Sequence, residues 1–213
     1  MRTRTAPLPL LFLCISALVQ ANDDPMARFD AIMGNPEQRA QAYAAGQERI
    51  TLCGYCHGED GNSKRDYIPN LAGQNPRYLF SAFEQYVDGH RTHFVMNQAA
   101  KMLSLEERVN IAVYFSQQTV KARQSSAGEP SLQDAGQAVF QDKACYGCHG
   151  DKGQGQENAP RLAGQPAEYL RVTLNKYREG DPSRTGSIMQ TVAPQLSERE
   201  IDAVAAYLQQ LTP

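Results

Sequence analysis

The pattern C-x-x-C-H occurs twice, as CGYCH at residues 53–57 and as CYGCH at residues 145–149. Such a pattern reads as a c-type haem attachment site. Two cysteines three apart can reach the vinyl-derived carbons on one edge of a porphyrin and form thioethers. A histidine directly after the second cysteine then lies beneath the iron as its proximal ligand. Two rival readings fit less well. A thioredoxin-like C-x-x-C pair belongs to βαβ surroundings, and no alternating strand pattern appears in the chain. A zinc ribbon places its two pairs about 15–20 residues apart, whereas Cys56 and Cys145 are separated by nearly ninety. The motifs therefore call for two covalently bound haem c groups, attached through Cys53 and Cys56 and through Cys145 and Cys148, with His57 and His149 on the irons.

The motifs are the most visible part of a longer repeat. PNLAGQNPRYL at residues 69–79 matches PRLAGQPAEYL at residues 160–170. Further on, Met96, Ala100, Leu103, Ser104 and Glu107 match Met189, Ala193, Leu196, Ser197 and Glu200, and Tyr114 matches Tyr207 at the same spacing. A self-match on this scale marks a tandem duplication of a small domain. The reading gives a first domain over residues 35–120, a linker over residues 121–130 (KARQSSAGEP, polar with Gly and Pro) and a second domain over residues 131–213.

Residues 1–21 are read as a cleaved signal peptide. Arg2 and Arg4 form the positive start, residues 8–19 are mostly apolar, and Val19-Gln20-Ala21 is an A-x-A-like cleavage site. The apolar run is too short for a membrane span. Leu13 before Cys14 is too large for a lipoprotein site. Cleavage removes Cys14, two cations and no acid, taking the formal charge from −2 to −4. The chain is thereby expected in the periplasm, an oxidising compartment where the four remaining cysteines need a covalent fate. Residues 22–34 form an extension with no counterpart in the second unit. They read either as a docking arm, through Met26, Phe29, Ile32 and Met33, or as a poorly ordered terminus, the commoner fate of chain ends.

Helical periodicity dominates both units. Asn35-Pro36-Glu37-Gln38 carries an N-cap, Pro at the first position and Gln at N3. Ser131 opens the corresponding helix of the second unit. Ser104 to Glu107 and Ser197 to Glu200 are capping boxes. They introduce helices that place Leu105, Val109, Ala112 and Val113, and Ile201, Val204, Ala205 and Leu208, on one face. Units of this size without Trp bury a modest core, which a covalently held apolar cofactor would reinforce.

Electron-carrying haem iron takes a second axial ligand, often Met, which raises the potential. The first unit offers Met96 and Met102, the second Met189. The repeat pairs Met96 with Met189, whereas Met102 falls on Gln195 and reads as core filling. His90 and His93, found only in the first unit, stand as surface residues, with a histidine ligand in place of Met96 as the alternative. Pro69 and Pro160 follow their histidines at matched positions. Their carbonyls are candidates to accept the other imidazole N–H, a simple turn being the equal alternative.

The duplicated C-x-x-C-H, the P-x-L-A-G-Q segment followed by Y-L, and the M-x-x-x-A-x-x-L-S-x-x-E run together resemble the dihaem cytochrome c4 family. The resemblance covers nearly all of residues 40–213. It implies an all-α fold of two tandem class I cytochrome c domains related by a pseudo-twofold axis, and a periplasmic carrier passing electrons towards a terminal oxidase. It also implies thioethers at Cys53, Cys56, Cys145 and Cys148 and axial ligands at His57, Met96, His149 and Met189.

Three function classes compete. The first is a two-haem electron shuttle between redox protein partners, since two six-coordinate irons leave no position for a substrate. The second is the cytochrome subunit of a periplasmic dehydrogenase, such as a flavoprotein oxidising sulfide. The third, a dihaem peroxidase or thiosulfate dehydrogenase, needs an exchangeable iron site and no spare ligand cysteine survives signal removal. A pI near 6.1 and a mean hydropathy of −0.52 argue against nucleic acid as a partner and against a transmembrane span in the mature protein. Residues 22–127 carry a formal charge of −1 and residues 128–213 one of −3. Lys64 and Arg65 stand where the second unit has Gln154, Gly155 and Gln156, a difference that could separate donor from acceptor docking.

Overall fold

Asn35 sets the entry to the first unit in the way its sequence predicts. Its side chain accepts from the backbone N–H of Glu37 at 3.0 Å and of Gln38 at 3.1 Å, with Pro36 at the first position. In the computed structural model, which describes residues 24–121 and 130–212, this cap begins α2 (Pro36–Arg49), preceded by α1 (Pro25–Gly34). The first unit continues through α3 (Thr51–His57), α4 (Pro76–Asp88), α5 (Phe94–Met102) and α6 (Leu105–Ser116). The second repeats the series as α7 (Pro130–Asp142), α8 (Tyr146–His149), α9 (Ala167–Arg178), α10 (Met189–Val192) and α11 (Glu198–Gln210). Two isolated β-bridges are the sole extended pairings among the described residues. The proposed signal peptide and residues 122–129 of the proposed linker lie outside the described residues.

In each unit the first long helix crosses the last, α2 on α6 and α7 on α11. Both crossings are made at a glycine. A Cβ on Gly46 would come within 2.2 Å of the Asn110 carbonyl oxygen, and one on Gly136 within 2.1 Å of the Ala203 carbonyl oxygen. The helices therefore touch backbone to backbone. Beside each crossing an aromatic pair closes the gap, Tyr43 with Tyr114 at 5.3 Å and Phe140 with Tyr207 at 5.9 Å. The faces expected on α6 and α11 are inside: Val109, Ala112 and Val113 are fully buried with Leu105 half-buried against them, and Ile201, Val204, Ala205 and Leu208 are buried.

Both capping boxes form. On α11 the Ser197 hydroxyl accepts from the Glu200 N–H at 3.3 Å, and the Glu200 carboxylate accepts from the Ser197 N–H at 2.8 Å. Bonds from the Ser197 backbone N–H and hydroxyl, with Lys143 beside them, pull the Glu200 carboxyl down to about 2. A carboxylate whose folded pKa is depressed stabilises above its unfolded pKa, and the contribution disappears as pH falls through the folded value. Replacing Ser197 with Ala should cost about 1 kcal/mol in reversible unfolding at neutral pH. NMR titration should show the Glu200 pKa rising towards the ordinary carboxylate range in the same variant.

Residues 25–34 differ from the expectation of a poorly ordered terminus. They form α1, capped by Asp24, with Phe29 and Ile32 buried in the first core. Phe29 stacks on Phe80 at 5.1 Å, with Arg77 over its other side and paired with Asp30. Arg28 binds Glu106 of α6 at 2.5 Å. The docking-arm reading also loses its main apolar contacts, because Phe29 and Ile32 point into this chain's own core. Two large aromatic and aliphatic surfaces buried in a ready-made groove outweigh the ordering entropy that leaves most termini loose.

The two units meet through the loops after α4 and α9 and through those after their histidines. The Thr92 N–H donates to the Ser183 carbonyl at 3.0 Å and the Thr185 N–H to the His90 carbonyl at 2.8 Å, framing an antiparallel bridge between Arg91 and Arg184. Gln74 reaches Arg161, and Gln165 reaches Asn70. Reciprocal contacts of this kind are what a pseudo-twofold relation produces.

Candidate haem sites

Each C-x-x-C-H segment is a short helix ending at its histidine. Cys53 and Cys56 lie on α3, half-buried, with Cys53 packed against the first core; Cys145 immediately precedes α8, and Cys148 lies on it, exposed. All four thiols are unpaired. Burial pushes the Cys53 and Cys145 thiols up.

After each histidine the chain folds back in a loop that depends on glycine. The N–H groups of Leu71 and Ala72 both donate to the Gly61 carbonyl, as those of Leu162 and Ala163 do to Gly153. Gly61 has φ +76°, and a Cβ there would lie 2.6 Å from the Ala72 nitrogen. The loop is next pinned to the last helix of its own unit, through Gly73 N–H to the Phe115 carbonyl and Gly164 N–H to that of Leu208. This carries the preceding proline back to the histidine. His57 Nδ1 lies 3.0 Å from the Pro69 carbonyl oxygen and His149 Nδ1 lies 2.9 Å from that of Pro160. Of the two readings left open by the sequence, the carbonyl acceptor is the one found. With Nδ1 donating, the Nε2 of each ring is the atom left to face a metal. Burial lowers both histidine pKa values against the opposing pull of those carbonyls, leaving neutral rings of the kind that ligate metal.

Met96 sits in α5, half-buried against the first core, and Met189 is the first residue of α10. Met102 is 76% exposed, so it does not fill the core as expected; it is the last residue of α5, and the extended Leu103 after it packs against the core instead. His93 caps α5, its Nδ1 accepting from the Met96 N–H at 3.4 Å. His90 Nδ1 lies 3.2 Å from Thr185 Oγ1 of the other unit.

The residues present suit haem on three further counts. Leu52 and Tyr55, on α3, are each 81% exposed and Phe94, at the start of α5, 86%, a large apolar surface for one edge of a small domain. Of the eleven apolar residues buried in the second unit, four are alanine, a thin interior for a unit of its length. Between the halves lie Arg91 and Arg184 with Tyr78, Tyr86, Tyr169 and Tyr177. Arg91 donates to the Tyr78 hydroxyl at 3.1 Å, whereas Arg184 Nη1 is buried with no hydrogen-bond partner. A desolvated guanidinium donor calls for an acceptor, ideally anionic, and haem carries carboxylates. Of these six residues only Tyr78 and Tyr169 stand in a motif read from the sequence, as the Y of Y-L. The available signal for the rest was the repeat itself, since Tyr86 matches Tyr177 at the spacing that pairs Tyr78 with Tyr169, and Arg91 matches Arg184 at the spacing that pairs Met96 with Met189.

Comparison with known proteins agrees. The profile of the Cytochrome c family matches residues 133–212. Cytochrome c4 of Pseudomonas aeruginosa is 38% identical over 179 residues, covering 79% of this chain and 88% of that one. The chain belongs to the cytochrome c4 family. The crystal structure of reduced cytochrome c4 from Pseudomonas stutzeri superposes with a TM-score of 0.72 at 36% identity, covering 79% of this chain and 98% of that one. A thiosulfate dehydrogenase electron acceptor from Thiomonas intermedia is 31% identical, covering 81% of this chain and 85% of that one. As a cytochrome c4, the chain is a dihaem electron carrier with two covalently bound haem c groups and two cytochrome c domains, and it is not an enzyme.

Proposed function

We propose that this cytochrome c4 is a periplasmic carrier of single electrons between respiratory partners, delivering them towards a terminal oxidase. The observation that carries the site assignment is the matched pair of His Nδ1 to Pro carbonyl bonds, which leaves one ring nitrogen free in each half. Cys53 and Cys56, and Cys145 and Cys148, form the thioethers. His57 and His149 are the proximal ligands and Met96 and Met189 the distal ones. Arg184, with its unpartnered Nη1, is the candidate donor to a haem carboxylate. When bound, each haem supplies reversible one-electron exchange between Fe(III) and Fe(II). The chain's part is to hold neutral imidazole on one side and thioether sulfur on the other, which favours the reduced state relative to two histidines. The Pro69 and Pro160 carbonyls fix the rings. Export by a signal peptide over residues 1–21 supports the compartment, with domains at residues 35–120 and 131–213 and α1 packed onto the first.

A second reading, acceptor of a periplasmic thiosulfate dehydrogenase, is favoured by the relative from Thiomonas intermedia. Both readings are separable by electron flow in the purified, matured protein. Its mass should exceed that of the cleaved polypeptide by two haems, and by one after Cys145 and Cys148 are both replaced with Ala. Oxidation of the reduced protein by oxidase-containing membranes, abolished by cyanide, is the expected result. Fast reduction by a thiosulfate dehydrogenase with thiosulfate, without turnover by the membranes, would favour the second reading.

A further inference from the structure

The peptide unit that accepts the imidazole proton in one half is held at its other end by the opposite half. The Pro69 carbonyl accepts from His57, and the N–H of that same peptide, on Asn70, donates to Gln165 Oε1 at 2.9 Å. Gln165 Nε2 donates back to the Asn70 carbonyl at 2.8 Å. Across the interface the arrangement recurs: the Pro160 carbonyl accepts from His149, the Arg161 N–H donates to Gln74 Oε1 at 2.6 Å, and Gln74 Nε2 donates to the Arg161 carbonyl at 3.0 Å. Each two-point contact fixes which end of the amide is oxygen, since the reverse orientation would set donor against donor. The clasp is dry, with Gln74 and Gln165 no more than 4% exposed and Asn70 and Arg161 1%. No metal ligand comes from the opposite half, yet each ligand's hydrogen-bond partner is held by it.

We infer that Gln165 and Gln74 are positioning residues that set reduction potential crosswise, Gln165 acting on the haem of the first half and Gln74 on that of the second. The inference rests on the proposed ligation by His57 and His149. An amide whose N–H is engaged is polarised, and its carbonyl oxygen becomes a better acceptor, by perhaps 10–30% per bond in such chains. A better acceptor draws the Nδ1 proton further from the ring and makes Nε2 more basic. A more basic ligand stabilises Fe(III) over Fe(II), and the potential falls. Loss of the clasp should reverse this at one haem only. Gln74 Oε1 also accepts from the Asn75 N–H at 2.9 Å, whereas a single N–H is bonded to Gln165 Oε1, so the two halves are not set identically.

The test uses the mature dihaem protein and the variants Gln165→Met and Gln74→Met, which keep length and packing while removing both amide functions. Potentials are measured by spectroelectrochemistry and assigned to each haem by the NMR signals of its axial ligands. Gln165→Met should shift the reduction equilibrium of the first haem towards Fe(II) by about threefold, ~28 mV at 59 mV per tenfold for one electron, and leave the second in place. Gln74→Met should do the converse. The Nδ1 proton resonance of His57 should move in the first variant and that of His149 in the second. Gln165→Glu, which keeps the acceptor for the Asn70 N–H, should keep the first haem from rising, and serves if the Met variant fails to fold. Equal shifts at both haems, a shift confined to the haem of the mutated half, or none would overturn the inference. Absence of imidazole-ligand signals in the unmodified protein would instead overturn the ligand assignment.

Discussion

Replacing Gly136 with Ala should destabilise the second half by about 1–3 kcal/mol, the range for forcing a methyl into a filled core. The sign is opposite to that of helix propensity, which favours Ala over Gly by about 0.8–1 kcal/mol in a helix interior. Geometry decides, because the added Cβ would lie 2.1 Å from the Ala203 oxygen and 2.7 Å from Tyr207 Cβ. Backbone carbonyl cannot swing aside as a flexible side chain would, so α7 must lift off α11 and the Phe140 and Tyr207 rings must part. Thermal unfolding followed by circular dichroism should report it as a fall of roughly 4–8 °C per kcal/mol for a domain of this size. Gly46→Ala should act alike in the first half, where Asn110 and Tyr114 stand at the crossing. Gly34→Ala is the control: a Cβ there meets nothing within 4 Å, and its melting curve should hardly move.

Replacing Met189 with His should lower the potential of the second haem by on the order of 0.2 V, part of the ~0.8 V range that axial ligation spans. Imidazole is a stronger donor than thioether sulfur and favours the ferric state. The change should confine itself to one of two reductive waves. About half of the near-red methionine–iron absorption of the oxidised protein should vanish with it. Loss of none of that band would remove Met189 from the coordination sphere, and loss of all of it would mean that Met96 does not ligate the first iron.

Much of the site was legible in the order of residues, because haem attachment is local. In the proposed assignment three positions within five residues supply both thioether sulfurs and the proximal nitrogen, so CGYCH and CYGCH needed no tertiary knowledge. The caps at Asn35, Ser104 and Ser197 were legible for the same reason, as each spans three residues. Pro69 and Pro160 became visible only because the duplication held their distance from histidine nearly constant. What stayed hidden depends on residues that meet from far apart. Gly46 and Gly136 lie among good helix formers and look like defects until another helix is laid against them. Asn70, Gln74, Arg161 and Gln165 stand in the sequence as polar letters of the repeated P-x-L-A-G-Q segment, with nothing local to show that they are buried where the halves meet. Arg161 is the extreme case: burial pushes its pKa down, and carbonyls of Asn70, Ala72 and Ala163 accept from its Nη1 and Nη2 in place of a carboxylate, while its Nε is buried without a partner. Phe29 and Ile32 were counted as candidates for an outside partner because nothing in residues 22–34 announces a groove between α2, α4 and α6.

The helix before the first repeat makes the two halves unequal in what they can do alone. Among the described residues fifteen apolar side chains are buried in the first half, Phe29 and Ile32 of α1 among them, and eleven in the second. The amino-terminal half thus carries the larger oily interior, and the carboxy-terminal half, with no such helix laid over it, has fewer apolar contacts of its own to set beside its porphyrin.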